Sequence, residues 1–419
     1  MSIEPTRKTF KHFLFLWSGQ LFSLLGSSVV QFVIVYWITI VTKSMTFLSI
    51  ASFFAFLPQF IIMPIAGVFV DRWNRKIVMA LADFFQALTT LGLIFMFIFK
   101  FENVWIVILI NGLRGIFQAF HWPAMNAIIP IMVPKENLSR FNGLNYLFTG
   151  VVNTLGPLIA SILLANFFIE QILWVDIITF LIAITPLLMI FIPKVEKKII
   201  LEEKTSFWKD FKLGIKVLKA VPGLILLLLV ATMINFFGTP FNTQMPYYVL
   251  VYHNGTKIDY GMIASFMQLG FFIGSIIVIT KKVWKHKTKI ILGGIILGEI
   301  GHLALALAPI GAFPMIGFGG FLFAFIVPFV NTMFLTILQS TIPPETQGRV
   351  MSIVISIATA ITPIAMIISG PIAEIIGIVP LFLAASSIDI AFVVSIWLFS
   401  KVSKIDYDNL PDLFHDIEI

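Results

Sequence analysis

Four residues of one apolar run set the chemistry to be explained. Asn111, Arg114, Gln118 and His121 are spaced three, four and three apart, which aligns them along one face of a helix. A guanidinium in the middle of a bilayer costs ~2.5–3.5 kcal/mol on insertion scales, so Arg114 must meet a polar partner or a water-filled cavity. It either contacts a solute or proton path, or is satisfied by neighbouring helix carbonyls and amides. Two other runs carry similar stripes, one with Gln20, Ser27 and Gln31, the other with Asn235, Thr239 and Asn242. Phe117 and Tyr247 lie near these stripes and offer the deformable aromatic area that suits bulky apolar ligands. A further stripe, Asn142, Asn145, Thr149 and Asn153, is read as helix-to-helix packing.

The acids in apolar runs are Asp83, Asp176, Glu299 and Asp389, with Glu374 near a run's end. Asp83 and His121 fall at similar depth on consecutive antiparallel helices, which predicts a hydrogen-bonded pair, since either alone is a costly buried titratable group. Glu299 and His302 stand three residues apart on one helix. Asp83, His121 and Glu299 are therefore the candidates for carrying a proton, with Asp83 first. Asp176 and Asp389 occupy matching contexts, WVDI and SIDI, and are read as architectural. There is no cysteine and no HxxxH or HExxH pair, so no metal site is visible and no cofactor is expected. No P-loop is present, which excludes this chain as a direct user of ATP.

These residues need elements that hold them in an apolar medium. Of 419 residues, 59% are hydrophobic and only 12% charged, too little polar surface to cover a soluble globule. Uncharged runs predict helices at 13–41, 46–70, 77–99, 104–128, 141–165, 171–192, 222–249, 260–280, 289–308, 314–341, 350–375 and 380–400. At 1.5 Å per residue these cross a hydrocarbon core of ~30 Å. The first run is too long for a signal peptide and lacks a small-residue cleavage site. Only Lys43, Lys100 and Lys257 fall in loops on one side of this twelve-helix topology; apart from Arg114, every other Lys and Arg falls on the opposite side. That asymmetry predicts a multi-pass protein of the cell membrane with both termini cytoplasmic, and it accounts for the net charge of +7 without nucleic acid.

An internal repeat divides the twelve. VPKENLSR (133–140) aligns with IPPETQGR (342–349), and LGPLIA (155–160) is followed by its echo SGPIAE (369–374). An even number of helices separates the copies, so they share one orientation in the membrane. The fold class is all-α and polytopic: two six-helix bundles related by a parallel pseudo-two-fold repeat. The expected divisions are a first bundle at 1–192, a cytoplasmic linker at 193–220, a second bundle at 221–403 and a tail at 404–419. Phe207, Trp208, Phe211 and Ile215 are spaced for an amphipathic helix inside the linker, with a solvated linker as the alternative.

GVFVDRWNRKIVM (67–79) resembles the signature between the second and third helices of the major facilitator superfamily, with Asn74 in place of the usual second glycine. LRGIFQAF is similar to its mid-helix arginine signature, and GVVNTLGP (150–157) to the antiporter signature. AFHWPAMNAIIPIMVPKENL, IPPETQGRVMS and GPIAEIIG resemble the drug:proton antiporter branch that includes macrolide-efflux proteins. The resemblance implies a central cavity lined by the first, fourth, seventh and tenth helices, and so places Gln20, Ser27, Gln31, Asn111, Arg114, Gln118, Asn235, Asn242, Phe117 and Tyr247 as its lining. It also implies conformational control by Gly67, Asp71, Arg72, Arg75 and Lys76, with Gly67 allowing close helix approach, and by Gly156 and Pro157. The implied function is alternating-access export of hydrophobic or amphiphilic small molecules, coupled to protons, by a monomer in the lipid bilayer. Transport of a lysolipid-like amphiphile is the alternative, suggested by Arg114 as the cavity's one formal charge. A receptor or assembly factor without transport is the alternative of another class.

Overall fold

The computed structural model describes residues 5–193, 207–281 and 284–407, leaving aside the side chains of Val68, Asp71, Ser139, residues 207–213, Pro344, Glu345 and Arg349. The Asp71 side chain, linker residues 194–206 and the tail from 408 thus lie outside the described residues, as do the side chains of Phe207, Trp208 and Phe211.

The helices are α1 (Arg7–Thr42), α2 (Met45–Arg72), α3 (Arg75–Ile98), α4 (Val104–Met132), α5 (Lys135–Asn166), α6 (Ile169–Met189), α7 (Phe207–Ala220), α8 (Leu224–Tyr247), α9 (Lys257–Thr280), α10 (Lys287–Ala306), α11 (Phe313–Thr341), α12 (Pro344–Ala360), α13 (Thr362–Ile376) and α14 (Ile378–Phe399). Among the described residues, twelve spans are long and apolar enough to cross a membrane, α12 and α13 together forming one of them. The break at Ile361 precedes Pro363, whose missing N–H and ring interrupt the hydrogen-bond ladder. α8 continues into a π turn at Tyr248–Tyr252.

The loops are short because polar side chains close the helix ends. Ser44 caps α2, and Asn103 Oδ1 accepts from the Trp105 and Ile106 amides at 2.9 and 3.3 Å to start α4. Asn74, at the position where a glycine was expected by resemblance, has φ −70° and caps α3 by accepting from the Lys76 amide at 3.0 Å. No glycine is needed there, and the asparagine does helix-starting work that glycine cannot.

Two compact units divide the chain: Met1–Lys198 with Pro246–Ser265, and Ile199–Met245 with Phe266–Ile419. In the first, α1 packs against α5 and α6, α2 against α4, and α3 against α4 and α6. Phe13, Trp17, Val70, Met79, Ile128, Met132, Phe141 and Leu187 gather where six helix ends meet on the basic face. Trp17 donates Nε1–H to Asn145 Oδ1 at 2.8 Å, and Lys76 donates to the Leu188 and Ile190 carbonyls at 2.8 and 2.7 Å, capping the end of α6 with a cation.

In the second unit, α10 packs against α11 and α14, and α7 against α12. The core runs from Val217 and Leu218 on α7 through Ile291, Ile337, Val350 and Val393. α7 falls within 193–220, and its described apolar residues are drawn into the second unit's core. Gly223 has φ +76°, and a Cβ there would strike Val402, Ile405 and Tyr407, so glycine is required both by conformation and by space. Tyr407 donates to the Pro222 carbonyl at 2.8 Å, fastening the stretch after α14 onto that turn.

Gly67 does not permit close helix approach: a Cβ at that position would meet nothing within 4 Å. Close approach of α2 instead occurs against α4, where Gly112 faces the Phe54 carbonyl and Gly115 the Ala55 carbonyl. Gly115→Leu is expected to destabilise the protein by about 1–3 kcal/mol through overpacking, while Gly67→Ala should be silent; thermal unfolding of both variants in one detergent checks the contrast.

Candidate functional site

Two polar networks lie inside the first unit. In one, Gln20 on α1 bridges α3 and α4: its Nε2 donates to Asp83 Oδ2 at 3.1 Å, and its Oε1 is 2.9 Å from His121 Nε2. His121 Nε2 is also 3.4 Å from Asp83 Oδ1, which closes a triangle of carboxylate, amide and imidazole. Asp83 is buried and His121 partly exposed, so the imidazole edge connects the carboxylate with the outside of the network. An imidazole and a carboxylate in contact can hold one proton or two.

In the second network, Arg114 Nη1 forms an ion pair with Asp176 Oδ2 on α6 at 3.0 Å, with only 6% of the arginine exposed. Arg114 also donates to Thr90 Oγ1. Thr90 donates to Asp176 Oδ2 at 2.5 Å, and Ser27 donates to Oδ1 at 3.3 Å while accepting from Gln86 Nε2 at 2.7 Å. The expectation of Arg114 as a cavity's lone formal charge is thereby corrected: the insertion cost of the guanidinium is offset by a carboxylate on a neighbouring helix. Thr90 on α3 bonds to both partners, bracing the direct ion pair from the side.

α3 supplies members of both networks, and the sequence carried the signal for this. Asp83, Gln86 and Thr90 are spaced three and four apart, a stripe as regular as that of α4.

The other first-unit candidates fall as follows. Asn111 is buried, Gln118 and Phe117 are partly buried, with Phe117 stacked on Phe85 at 5.2 Å between centroids, and Gln31 is exposed. Arg72 is exposed and Arg75 partly buried. Gly156 packs so closely on Ser28 that a Cβ would collide with it, and Pro157 follows within the same helix, α5.

The second unit contains an open cavity of about 410 Å³. α8 contributes Asn235, Thr239 and Asn242, and Gln268, Asn331 and Thr362 add polar groups from α9, α11 and α13. The rest of the wall is apolar, including Phe271, Phe323, Phe334, Met267 and Met366, and no lining residue is ionisable. Asn235 and Asn242 are exposed into this space, each donating one amide N–H to the carbonyl four residues earlier, at 2.9 and 3.5 Å. Their oxygens remain available as acceptors. Tyr247 is partly buried, Glu299 is almost fully buried, and neither lines the cavity.

Twelve apolar spans among the described residues, with polar networks enclosed between their helices, are the architecture of a multi-pass membrane protein. The chain belongs to the Major Facilitator Superfamily, whose family model matches residues 16–361. Macrolide efflux protein A of Streptococcus pyogenes is 29% identical over 399 residues, covering 94% of this chain and 97% of that protein. Multidrug efflux pump Tap of Mycolicibacterium fortuitum is 22% identical over 352 residues, 81% of this chain and 83% of the pump. Among solved structures, the nucleoside transporter NupG superposes with a TM-score of 0.72 at 11% identity, covering 92% and 99% of the two chains. A D-xylose-proton symporter gives 0.69 at 11% identity, covering 95% and 99%. These two likenesses establish the fold alone.

Proposed function

We propose that this protein exports bulky, mainly apolar molecules of the macrolide kind across the cell membrane, by alternating access and in exchange for protons. The observation that carries the reading is the second unit's cavity, which is apolar, amide-bearing and free of ionisable side chains. Its volume falls in the ~300–1,000 Å³ range of small-molecule sites. A macrolide presents lactone, ketone and hydroxyl oxygens on a hydrocarbon ring, and Phe and Met surfaces with a few amides match that pattern. The names of the relatives, macrolide and multidrug efflux proteins, support the same substrate class. The lysolipid alternative loses its main support with Arg114 neutralised by Asp176.

In this reading Asp83, with Gln20 and His121, takes up and releases the driving proton. The basic segment around Arg72, Arg75 and Lys76 changes partners as the transporter changes state, Lys76 being held here by the end of α6. Both termini face the cytoplasm, following the distribution of Lys and Arg.

The test is transport into inverted vesicles of three labelled solutes: erythromycin, a lysophosphatidylcholine and tetraphenylphosphonium. Erythromycin is expected to accumulate when the lumen is acidic; accumulation of the lysolipid alone would overturn the reading. Replacing Asn235 and Asn242 together by Leu should weaken erythromycin binding by about tenfold or more, at ~0.5–1.5 kcal/mol per hydrogen bond, as measured by equilibrium binding to the purified protein.

A further inference from the structure

The second unit encloses a polar cluster that the proposed substrate cavity does not use. Asp389 in the middle of α14 is 0% exposed, and Glu299 and His302 on α10 are each 1% exposed. His302 Nδ1 lies 3.2 Å from Glu299 Oε2. The imidazole is clamped between the rings of Phe241 and Phe323, each with its centroid 3.7 Å away, and Phe382 extends the stack on the far side of Phe241. Four buried oxygens have no hydrogen-bond partner among the described residues: both of Asp389, Glu299 Oε1, and Oγ of Ser386, which lies one turn before Asp389.

The repeat explains why these oxygens are left without a cation. The constant offset that aligns VPKENLSR with IPPETQGR also sets Thr90 against Glu299 and Arg114 against Phe323, while WVDI and SIDI pair Asp176 with Asp389. Where the first unit places a hydroxyl and a guanidinium beside its buried carboxylate, the second places a carboxyl and a phenyl ring.

Among the described residues, no compensating charge arrives from elsewhere. The elements packed on α14 are α10, α13 and the turn at Val402–Lys404. Their titratable side chains are Lys287, Lys289, Glu299 and His302 on α10, Glu374 exposed near the end of α13, and Lys404 in the turn. α8 and α11, which supply the flanking phenyl rings, contain no Asp, Glu, Lys, Arg or His. Lys287 and Lys289 begin α10, three turns or so from Glu299, ~15–18 Å along the axis.

Two buried carboxylates on packed helices without a cation are penalised by desolvation and by like-charge repulsion. A metal ion is not the remedy, since among the described residues no three such side chains are placed to hold one. A proton is, because it needs no coordination shell and each carboxyl group has an oxygen without a hydrogen-bond partner to carry it.

We infer that Glu299, His302 and Asp389 form a proton-binding site enclosed in the second unit, with one proton held on Asp389 and another between Glu299 and His302. Protonated, Asp389 is a neutral hydrogen-bond donor and the orphaned Glu299 Oε1 is an available acceptor. The second proton sits either on Glu299, donating to Nδ1, or on His302, where the two phenyl faces stabilise the imidazolium. Release from Asp389 sends the proton to water and leaves a carboxylate balanced only by that imidazolium. The part this site plays in driving transport rests on the exporter reading above; its binding of protons does not.

The experiment is infrared difference spectroscopy of the full-length protein in nanodiscs without substrate, stepping the pH and comparing H₂O with D₂O. The wild type should show a deuterium-sensitive C=O band from a protonated carboxyl that is lost in Asp389→Asn, shifted in Glu299→Gln and in Ser386→Ala, and kept in Asp83→Asn. A band unchanged in Asp389→Asn would overturn the inference. Should that variant fail to fold, a band unmoved by both Glu299→Gln and Ser386→Ala would overturn it equally. Failure of the vesicle transport test would remove the exporter reading and leave this spectroscopic outcome untouched.

Discussion

Replacing Arg114 by Leu is expected to lower the unfolding free energy by about 3–5 kcal/mol, and replacing Asp176 by Asn by a similar amount. Each change strands the partner's full charge in a site where Arg114 is only 6% exposed. The double replacement, Arg114→Leu with Asp176→Leu, should cost clearly less than the sum of the singles, because it leaves no uncompensated ion behind. Oxygens of Thr90 and Ser27 then keep the alternatives available to hydroxyls in a helix bundle, bonding to carbonyls of their own helices. Thermal unfolding of the four proteins in one detergent completes the cycle. Costs that simply add would mean that the two side chains do not act as a pair.

The second large effect concerns coupling. A pH difference of one unit is worth about 1.4 kcal/mol per proton, which for a one-to-one exchange supports up to about tenfold accumulation of solute. Asp83→Asn removes the carboxylate from the triangle with Gln20 and His121 while preserving its shape and one acceptor oxygen. Its accumulation of erythromycin is therefore expected to lose the dependence on pH difference contributed by that proton, whereas exchange of labelled for unlabelled erythromycin at equal pH should persist at a measurable rate. A variant that accumulates as steeply as the wild type would assign the driving proton to another group.

The twelve spans were legible because lipid imposes a length on apolar runs that water does not. The ends were less so: α1, α5 and α12 begin at Arg7, Lys135 and Pro344, where uncharged-run boundaries gave 13, 141 and 350. Those first turns are polar and basic, and the helices continue beyond the apolar stretch that defines them in sequence. The Asp83–His121 contact follows from depth alone, since both positions can be counted from the same membrane face. Gln20 could not be placed in it, because nothing in one helix's stripe says which neighbour it meets.

Arg114 shows the limit more sharply. Its partner Asp176 was visible as a buried acid, yet the pairing of WVDI with SIDI suggested one shared role for Asp176 and Asp389. The structure separates them: one carboxylate is bonded by three side chains, Ser27, Thr90 and Arg114, and the other has neither of its oxygens bonded among the described residues. The repeat preserves backbone positions, and the difference arises from what stands opposite, Arg114 in one half and Phe323 in the other. Gly67 was misread for a related reason, since a glycine in a motif does not reveal which helix, if any, approaches it.

The most direct test of the central claim is to load proteoliposomes with erythromycin, dilute them into erythromycin-free buffer at equal pH with the membrane potential clamped, and follow lumenal pH. The account predicts that outward erythromycin flow acidifies the lumen, and that Asp83→Asn blunts the change. Erythromycin leaving the vesicles with no movement of protons would contradict it.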